Sequence, residues 1–218
     1  MTADPRVLVA VDLGTSALKA GVLSPDGRLR GFARVPYPLL LDGAQGRAEQ
    51  DPDAWWAALV RGLDIALARA AVVRPVEPLA ICIVGQGPTL VATASDGRAL
   101  APAITWLDRR AARETAAAVS TIGRGGWVVG LIGRALLLHA LRPEVVDGAT
   151  WLLAAWDHLA LRMTGVAAAS LQDPADAISP GEARAVGLDE RLGRLQVGSR
   201  LEAQHQRENE RKIGALER

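Results

Sequence analysis

The sequence predicts an α/β fold in which helices pack on a mixed β-sheet. Two short apolar runs, residues 7–11 and 79–84, have the composition of buried strands. Between them, apolar residues recur at helical spacing from Trp56 to Leu67. Strands therefore come first, one helix separates two strand units, and further helices follow. This order favours a mixed sheet over a strictly alternating parallel one.

The first strand unit is predicted to fold back on itself twice. Residues 7–11 end in a tight polar turn, and a second apolar run follows at residues 18–23. The chain then turns at Ser24-Pro25-Asp26-Gly27, where Pro presets one φ angle and Gly supplies a positive one. We expect three consecutive antiparallel strands, the third extending through residues 28–36.

Several helices have recognisable ends. Asp51-Pro52 is predicted to be an N-cap and first helical residue, because Asp accepts from free amides and Pro has no donor to lose. Further helices are predicted at residues 109–120, 134–141 and 150–163. Gly165 ends the last of them at a C′ position. The glycine-rich residues 123–133 lack the GK[ST] of a phosphate loop and are interpreted as a flexible connection.

Composition and charge exclude several classes of partner. The chain has 218 residues, half of them apolar, which suffices for one sizeable core. A net charge of +1 gives no electrostatic basis for binding nucleic acid or a membrane surface. Cys82 is the only cysteine, and its apolar neighbours predict a small buried residue in a reducing compartment. Since no apolar stretch is long enough to span a bilayer, we expect a cytoplasmic protein.

The sharpest local motif is Asp12-Leu13-Gly14-Thr15-Ser16, which directly follows a predicted strand and precedes Lys19. Gly lets backbone amides approach a phosphate, the hydroxyls can donate, and Asp12 can hold Mg²⁺ through water. Lys19 is one of only two lysines, which favours a functional role. An ordinary hairpin turn is the alternative interpretation. The glycine spacing is that of neither a P-loop nor a dinucleotide-binding fingerprint.

Two further segments are candidate functional loops. Gly85-Gln86-Gly87-Pro88 ends another apolar run, although a glycine-rich turn is an equal alternative. Trp106-Leu107-Asp108 places an aromatic ring and a carboxylate before a predicted helix. Sugar sites use aromatic faces against C–H groups and carboxylates to accept hydroxyls. A helix N-cap is the alternative role for Asp108.

Taken together and in order, these motifs resemble the FGGY carbohydrate kinases, the family of xylulokinase, gluconokinase and glycerol kinase. The motifs are residues 11–16 with Lys19, Glu49-Gln50-Asp51-Pro52 with Trp55-Trp56, Gly85-Gln86 followed by Asp96-Gly97-Arg98, and residues 104–110. A fifth segment, residues 151–165, is similar to the family's W-L-L…D-Y-L…R-L-T-G helix. The resemblance covers residues 6–200.

The resemblance implies an actin-like, RNase H-type domain with a five-stranded mixed sheet and helices on both faces. In the family, two such domains close around a cleft where ATP and sugar meet. The resemblance assigns ATP phosphates and Mg²⁺ to Asp12, Gly14, Thr15, Ser16 and Lys19, with Asp12 holding the metal through water. It assigns the substrate to Gln86, Gly87, Pro88, Trp106 and Asp108.

The sequence departs from the family pattern in two ways. The usual G-Q-M-H-G is here Gly85-Gln86-Gly87-Pro88-Thr89, so two substrate-contacting side chains are absent and the sugar is not identified. The family's general base, an Asp in a G-G-G-D-N-like segment, has no counterpart. We therefore expect residues 1–200 to form the N-terminal, sugar-binding half of a kinase, followed by a charged tail at residues 201–218.

Three functions are compatible with these motifs. The first is phosphorylation of a sugar or polyol hydroxyl by ATP, once a C-terminal kinase domain is supplied. The second is a degenerate, non-catalytic module that binds a sugar or a protein. The third, another actin-like ATPase, is disfavoured by the Glu49-Gln50-Asp51-Pro52 motif with Trp55-Trp56. Because half a cleft exposes apolar surface, a C-terminal kinase domain or a second copy is an expected partner.

Overall fold

Two β-sheets and five α-helices make up the fold in the part of the chain that a computed structural model describes, residues 4–123 and 125–168. The strands are β1 (Arg6–Leu13), β2 (Ala17–Leu23), β3 (Leu29–Pro36), β4 (Leu40–Asp42), β5 (Arg47–Gln50), β6 (Glu77–Gly85), β7 (Leu90–Thr93), β8 (Ala103–Ile104) and β9 (Trp151–Ala154). The helices are α1 (Pro52–Ala71), α2 (Ala112–Ile122), α3 (Trp127–Leu141), α4 (Pro143–Gly148) and α5 (Ala155–Thr164). The predicted tail at residues 201–218 lies outside the described residues. Within them, no helix has the length and apolar character needed to cross a membrane.

The first sheet has the strand order β3-β2-β1-β6. Its first three strands are antiparallel, and β6 runs parallel to β1, so the predicted mixed sheet and antiparallel N-terminal strands are confirmed. The predicted turn between β2 and β3 is also present. Gly27 adopts a φ of 83°, and its N–H donates to the Ser24 carbonyl at 2.8 Å.

Helix α1 covers one face of the first sheet. Asp51 caps it by accepting a hydrogen bond from the Asp53 N–H at 2.9 Å, which confirms the predicted start. Trp55 is fully buried between this helix and the strands. Gly31 on β3 permits the closest approach, because a Cβ there would lie 2.0 Å from the Ala66 carbonyl oxygen.

The second sheet has five strands in the order β4-β5-β8-β7-β9, and all of its pairs are antiparallel. The single five-stranded mixed sheet that we expected is therefore wrong in its details. The mixed sheet has four described strands, and the five-stranded sheet is a separate one. Short apolar segments have little intrinsic preference for a partner, so their pairing depends on tertiary contacts that the sequence does not display.

The helix predicted at residues 150–163 is correct only in part. Trp151–Ala154 forms β9 and pairs with β7, and α5 begins at Ala155. A short apolar run suits a strand and a helical turn equally well, so the neighbouring strand decides its conformation. The predicted end is confirmed, because Gly165 adopts a φ of 71° at the helix terminus.

The glycine-rich residues 123–133 are not a flexible connection throughout, because α3 begins at Trp127 and contains two of the glycines. A Cβ on Gly130 would lie 2.6 Å from Pro88, and one on Gly133 would lie 2.0 Å from the Thr115 hydroxyl. These glycines therefore allow α3 to pack closely on its neighbours. Glycine is unfavourable inside an isolated helix, so the sequence alone gives little indication of this one.

The face of the first sheet opposite α1 remains exposed among the described residues. Leu8 and Phe32 are 44% and 41% exposed on this face, and Cys82 is exposed beside them. The prediction of a buried Cys82 is therefore wrong, because β6 pairs only with β1 among the residues that the structure describes. The second helical layer that we expected over this sheet is likewise absent from the described part of the chain.

Candidate functional site

Asp12 and Lys19 form an ion pair next to the turn of the β1–β2 hairpin. The two residues are opposite each other in the strand register, and the Lys19 Nζ lies 2.6 Å from the Asp12 Oδ2. Each side chain is a little under half exposed, so solvent screening limits the pair to about 1 kcal/mol or less. Both side chains are therefore available to a charged ligand at little energetic cost.

Gly14 shapes the turn between these two strands. Its N–H donates to the Ala17 carbonyl at 3.2 Å, and a Cβ on Gly14 would lie 3.1 Å from the same oxygen. The Tyr37 hydroxyl donates to the Gly14 carbonyl from behind the turn. Burial, and then the negative charge of Asp12, raise the pKa of Tyr37. The phenol therefore keeps its proton and continues to support the turn.

Thr15 connects the hairpin to the loop of residues 106–108. The indole Nε1–H of Trp106 donates to the Thr15 hydroxyl at 3.0 Å, across 91 positions in sequence. Ser16 is exposed at the outer side of the turn, and its carbonyl accepts from the Tyr37 N–H at 3.4 Å. The predicted phosphate-binding turn and the predicted sugar-binding loop are therefore neighbours in space.

Gln86 lies behind the hairpin. It is 8% exposed, and its amide Nε2–H donates to the Gln50 Oε1 at 2.6 Å. Gln50 in turn donates to the Thr15 carbonyl at 2.7 Å. The Gln86 Oε1 is buried without a hydrogen-bond partner among the described residues. Gln86 therefore acts on the turn through Gln50.

Asp108 is buried and fully engaged in hydrogen bonds. It is 3% exposed, and its oxygens accept from the Ala48 and Arg110 N–H groups at 3.0 Å and from the Arg110 guanidinium at 2.6–3.3 Å. Burial alone would raise the pKa of Asp108, but the hydrogen bonds from the Arg110 side chain and the two amides outweigh it and lower the pKa. The predicted helix-cap role is confirmed, since Asp108 caps the 3₁₀ helix Arg109–Ala111.

Arg110 and Glu49 complete this ionic cluster. The guanidinium of Arg110 donates to the Glu49 Oε1 at 2.6 Å while it also holds Asp108. Glu49 lies on β5 and is 6% exposed. Two buried carboxylates therefore share one arginine, and this arrangement joins the 106–108 loop firmly to the second sheet.

Arg134 on α3 fixes the same loop from the other side. Its guanidinium donates to the carbonyls of Thr105, Trp106 and Gly130, each at 2.9 Å. Arg134 is 6% exposed, and burial lowers its pKa, whereas the charge of Asp108 acts in the opposite direction. Hydrogen bonds to three carbonyl oxygens thus replace the hydration that the guanidinium loses on burial.

An open cavity of about 800 Å³ lies between α2 and α3, next to this loop. Its lining is largely apolar and includes Pro88, Trp106, Asp108, Thr115, Trp127 and Arg134. Trp106 is 46% exposed. Gly87 lies beside the cavity, where a Cβ would come within 3.0 Å of the Trp156 ring. An exposed indole beside an apolar wall can stack on a small organic ligand.

The structure brings the predicted phosphate-binding residues into one turn. It brings Pro88, Trp106 and Asp108 to one cavity and leaves Gln86 behind the hairpin. Sequence reasoning missed the roles of Glu49, Gln50, Arg110 and Arg134. The first three lie within the quoted family motifs, which was the available signal. Arg134 gave none, because its partners are backbone carbonyls. No group of three or more potential metal-ligating side chains occurs in residues 4–123 and 125–168.

The model of the FGGY family of carbohydrate kinases, N-terminal domain, matches residues 7–123. The chain therefore belongs to the FGGY family of carbohydrate kinases.

Named relatives and solved structures agree with this assignment. The chain is 29% identical over 180 residues to the xylulose kinase of Escherichia coli, and the match covers 77% of the chain and 35% of that protein. It is 34% identical over 120 residues to the glycerol kinase of Allorhizobium ampelinum, covering 55% of the chain and 23% of that protein. The structure of gluconate kinase from Lactobacillus acidophilus is similar in fold, with a TM-score of 0.73 at 19% identity, and the match covers 86% of the chain and 41% of that structure. The chain thus spans less than half the length of these relatives.

Proposed function

We propose that this chain is the N-terminal, sugar-binding half of an ATP-dependent carbohydrate kinase, and that it is inactive without a C-terminal half. The product would be a sugar or polyol phosphorylated on one hydroxyl. The observation that carries the proposal is the hydrogen bond from Trp106 to Thr15, which holds a ring suited to sugar beside a turn suited to phosphate. Membership of the FGGY family supports it.

The β1–β2 hairpin is the proposed site for the ATP phosphates and Mg²⁺. Asp12 would hold the metal through water, and Lys19, Gly14, Thr15 and Ser16 would face the phosphates. The hairpin fits these groups because Asp12 and Lys19 are half exposed and, among the described residues, each has the other as its ionic partner. When bound, Mg²⁺ neutralises charge on the phosphates. The backbone amides and hydroxyls of the turn orient the group that is transferred.

The proposed sugar wall is formed by the 106–108 loop and residues 86–88. Trp106 is the residue that offers an exposed face to the substrate, and Gly87 and Pro88 shape the adjoining surface. Gln86 and Asp108 contribute by positioning, because their side chains are hydrogen-bonded inside the protein. Gln86 supports the hairpin and Asp108 supports the loop.

The proposed inactivity of the isolated chain follows from the state of Asp108. Phosphoryl transfer to a hydroxyl needs a carboxylate that accepts the proton. Asp108 is the carboxylate that lines the cavity, but Arg110 already neutralises it and its pKa is lowered. A carboxylate in this state is a weak base. The family base would have to come from a separate C-terminal half.

The sugar-binding part of the proposal can be tested with the indole N–H signals of the protein in ¹H–¹⁵N spectra. The sequence has six tryptophans, and Trp106→Phe identifies the signal of Trp106. A panel of pentuloses, hexuloses, polyols and aldonates is added at millimolar concentration. We expect at least one compound to shift the Trp106 signal and to leave unmoved the signal of Trp56, which stacks under Arg162 instead. No shift from any compound would remove the support for a sugar wall.

The catalytic part of the proposal can be tested with a coupled assay of ADP release over the same panel of compounds. The chain alone should show no sugar-dependent turnover, and a chain supplemented with the C-terminal half of a family xylulose kinase should show it. Turnover near 1 s⁻¹ by the chain alone, the low end of ordinary enzyme rates, would show that a base is present after all. A sugar that shifts Trp106 without turnover in the supplemented sample would favour the non-catalytic module.

A further inference from the structure

Two buried side chains hold consecutive carbonyl groups of the turn between β1 and β2. The Tyr37 hydroxyl donates to the Gly14 carbonyl. The Gln50 Nε2–H donates to the next carbonyl along the chain, that of Thr15, at 2.7 Å. Tyr37 is 9% exposed and Gln50 is fully buried. Both carbonyls are therefore held from the buried side of the turn.

The orientation of the Gln50 amide is fixed by its other partners. Its Oε1 accepts from the Gln86 Nε2–H at 2.6 Å, and its Nε2 also lies 3.4 Å from the Pro38 carbonyl. A flipped amide would place its oxygen against the carbonyl oxygens of Thr15 and Pro38, which cannot donate. Gln50 is therefore a donor to the turn.

Holding these two carbonyls directs the N–H groups of the residues that follow them. Both peptide units are trans, and in a planar trans peptide the C=O and the following N–H point in opposite directions. Tyr37 therefore turns the Thr15 N–H away from the interior, and Gln50 does the same for the Ser16 N–H. Neither N–H has a hydrogen-bond partner among the residues that the structure describes.

The outward N–H groups of Thr15 and Ser16 have a cation nearby. The Lys19 Nζ lies 3.8 Å from the position that a Cβ on Gly14 would take. Successive N–H groups that point to the same side of a turn form a concave site for anions. Because Lys19 is nearly half exposed, an anion bound to these N–H groups can also contact its ammonium group.

We propose that Tyr37 and Gln50 are positioning residues that make this turn a phosphate site, because they direct the N–H groups of Thr15 and Ser16 outward. The inference deepens the proposed function and rests on it, since it takes the hairpin as the site of the ATP phosphates. Neither buried side chain touches the phosphate itself. Each acts through one carbonyl, so the two effects are separable.

Backbone amide signals of the full 218-residue chain in ¹H–¹⁵N spectra test the inference without an assay of activity. The probe is inorganic pyrophosphate at millimolar concentration, compared with sodium chloride at equal ionic strength. Pyrophosphate should shift the signals of Thr15 and Ser16, because their N–H groups donate to its oxygens. Sodium chloride should leave both signals unmoved.

Two variants separate the positioning residues. Tyr37→Phe removes the hydroxyl donor and should reduce the shift at Thr15 more than that at Ser16. Gln50→Met removes the amide donor, retains the length of the side chain, and should have the reverse effect. Each variant should weaken pyrophosphate binding by about fivefold, which corresponds to the contribution of one neutral hydrogen bond.

Thr93→Val is the matched control, because it removes a buried hydroxyl that contacts His158 in another part of the fold. It should leave the affinity for pyrophosphate and both amide shifts unchanged. Circular dichroism verifies that each variant is folded. Tyr37→Phe deletes a single oxygen and keeps the ring in the core, so its result decides the matter if Gln50→Met does not fold.

Wild-type signals of Thr15 and Ser16 that do not respond to pyrophosphate would overturn the inference. Equal shifts with sodium chloride would also overturn it, as would folded variants that bind pyrophosphate with wild-type affinity. Failure of the proposed function gives a different result. If no sugar moves the Trp106 signal while pyrophosphate moves both amides, the sugar wall is contradicted and the phosphate site is retained.

Discussion

The β1–β2 hairpin and the 106–108 loop meet at one hydrogen bond, yet they hold their carboxylates differently. Asp12 is nearly half exposed and has one partner, Lys19, which is equally exposed. Asp108 is 3% exposed and accepts hydrogen bonds from two backbone amides and a guanidinium. The difference indicates which carboxylate a ligand can recruit. Asp12 can change partner at little cost, whereas Asp108 cannot leave Arg110 without depriving a partly buried guanidinium of one of its two carboxylate partners.

The largest effect that separates the two regions is expected for Asp12→Ala. When this chain is supplemented with the C-terminal half of a family xylulose kinase, the substitution should lower turnover by about 10²–10³-fold. A group that stabilises transition-state charge contributes about 3–4 kcal/mol. The ADP-release assay measures this effect. Asp96→Ala, which alters another exposed hairpin aspartate, is the matched control and should retain full turnover. Unchanged turnover in Asp12→Ala would contradict the phosphate-binding role of the hairpin.

The next effect concerns the stability of the loop. Asp108→Ala should lower the free energy of unfolding by about 3 kcal/mol, because it leaves Arg110 and Glu49 as a partly buried pair without the second carboxylate. Urea denaturation gives this value directly. Asp12→Ala should change the same quantity by less than about 1 kcal/mol, since its pair is solvent-screened. Equal losses in the two variants would remove the contrast between the regions.

The third effect concerns His158, which is a buried ionisable group like Asp108. His158 is fully buried; desolvation by burial, and then the charge of Arg162, lower its pKa to about 4, with Asp53 acting in the opposite direction. An unfolded histidine titrates near 6.5, so between pH 6.5 and 4 the unfolded chain binds more protons. The contribution of neutral His158 to the free energy of unfolding is therefore fully present above pH 6.5. It falls as the pH decreases, by about 2 kcal/mol between pH 7 and pH 5.

Urea midpoints at several pH values measure this dependence. His158→Leu should remove most of it, because no titrating ring remains at this position. His139 lies on the exposed side of α3, and His139→Gln should preserve the dependence. A wild-type stability that stays constant from pH 7 to pH 5 would show that His158 is not held neutral by the fold.

The smallest effect is expected at the junction of the two regions. Thr15→Val removes the acceptor of the Trp106 indole N–H and should cost about 0.5–1 kcal/mol, because water can replace this half-exposed hydrogen bond. The indole ¹H–¹⁵N signal of Trp106 should move, since its partner has changed. Thr121→Val, which affects a hydroxyl bonded within α2, is the control and should leave that signal unchanged.

Local signals account for the parts of the fold that the sequence predicted correctly. The β2–β3 turn depends on Gly27, and the start of α1 depends on Asp51, whose side chain caps the neighbouring amide. Both effects act within four residues and are visible in the sequence. The strand β9 and the separation into two sheets depend on partners about 60 residues away, such as β7 for β9. No local pattern specifies those partners.

The site was predictable to a similar extent. The motif of residues 12–16 with Lys19 identified a turn whose side chains the structure gathers in one place. The burial of Asp108 was not apparent, because it results from Arg110 and from the Ala48 amide on a distant strand. Arg134 was missed for the same reason, since its hydrogen bonds all end on carbonyls and any sequence offers carbonyls.

The hydrogen bond between Trp106 and Thr15 has a thermodynamic consequence for the two loops. A ligand that turns the indole towards itself releases the Thr15 hydroxyl, and a ligand that recruits this hydroxyl releases the indole. Each ligand therefore changes the hydrogen bonding of the loop to which the other ligand would bind. By linkage, the factor by which the first alters the affinity of the second equals the factor in the reverse direction. One shared hydroxyl is thus sufficient to make occupancy of the hairpin and occupancy of the cavity interdependent.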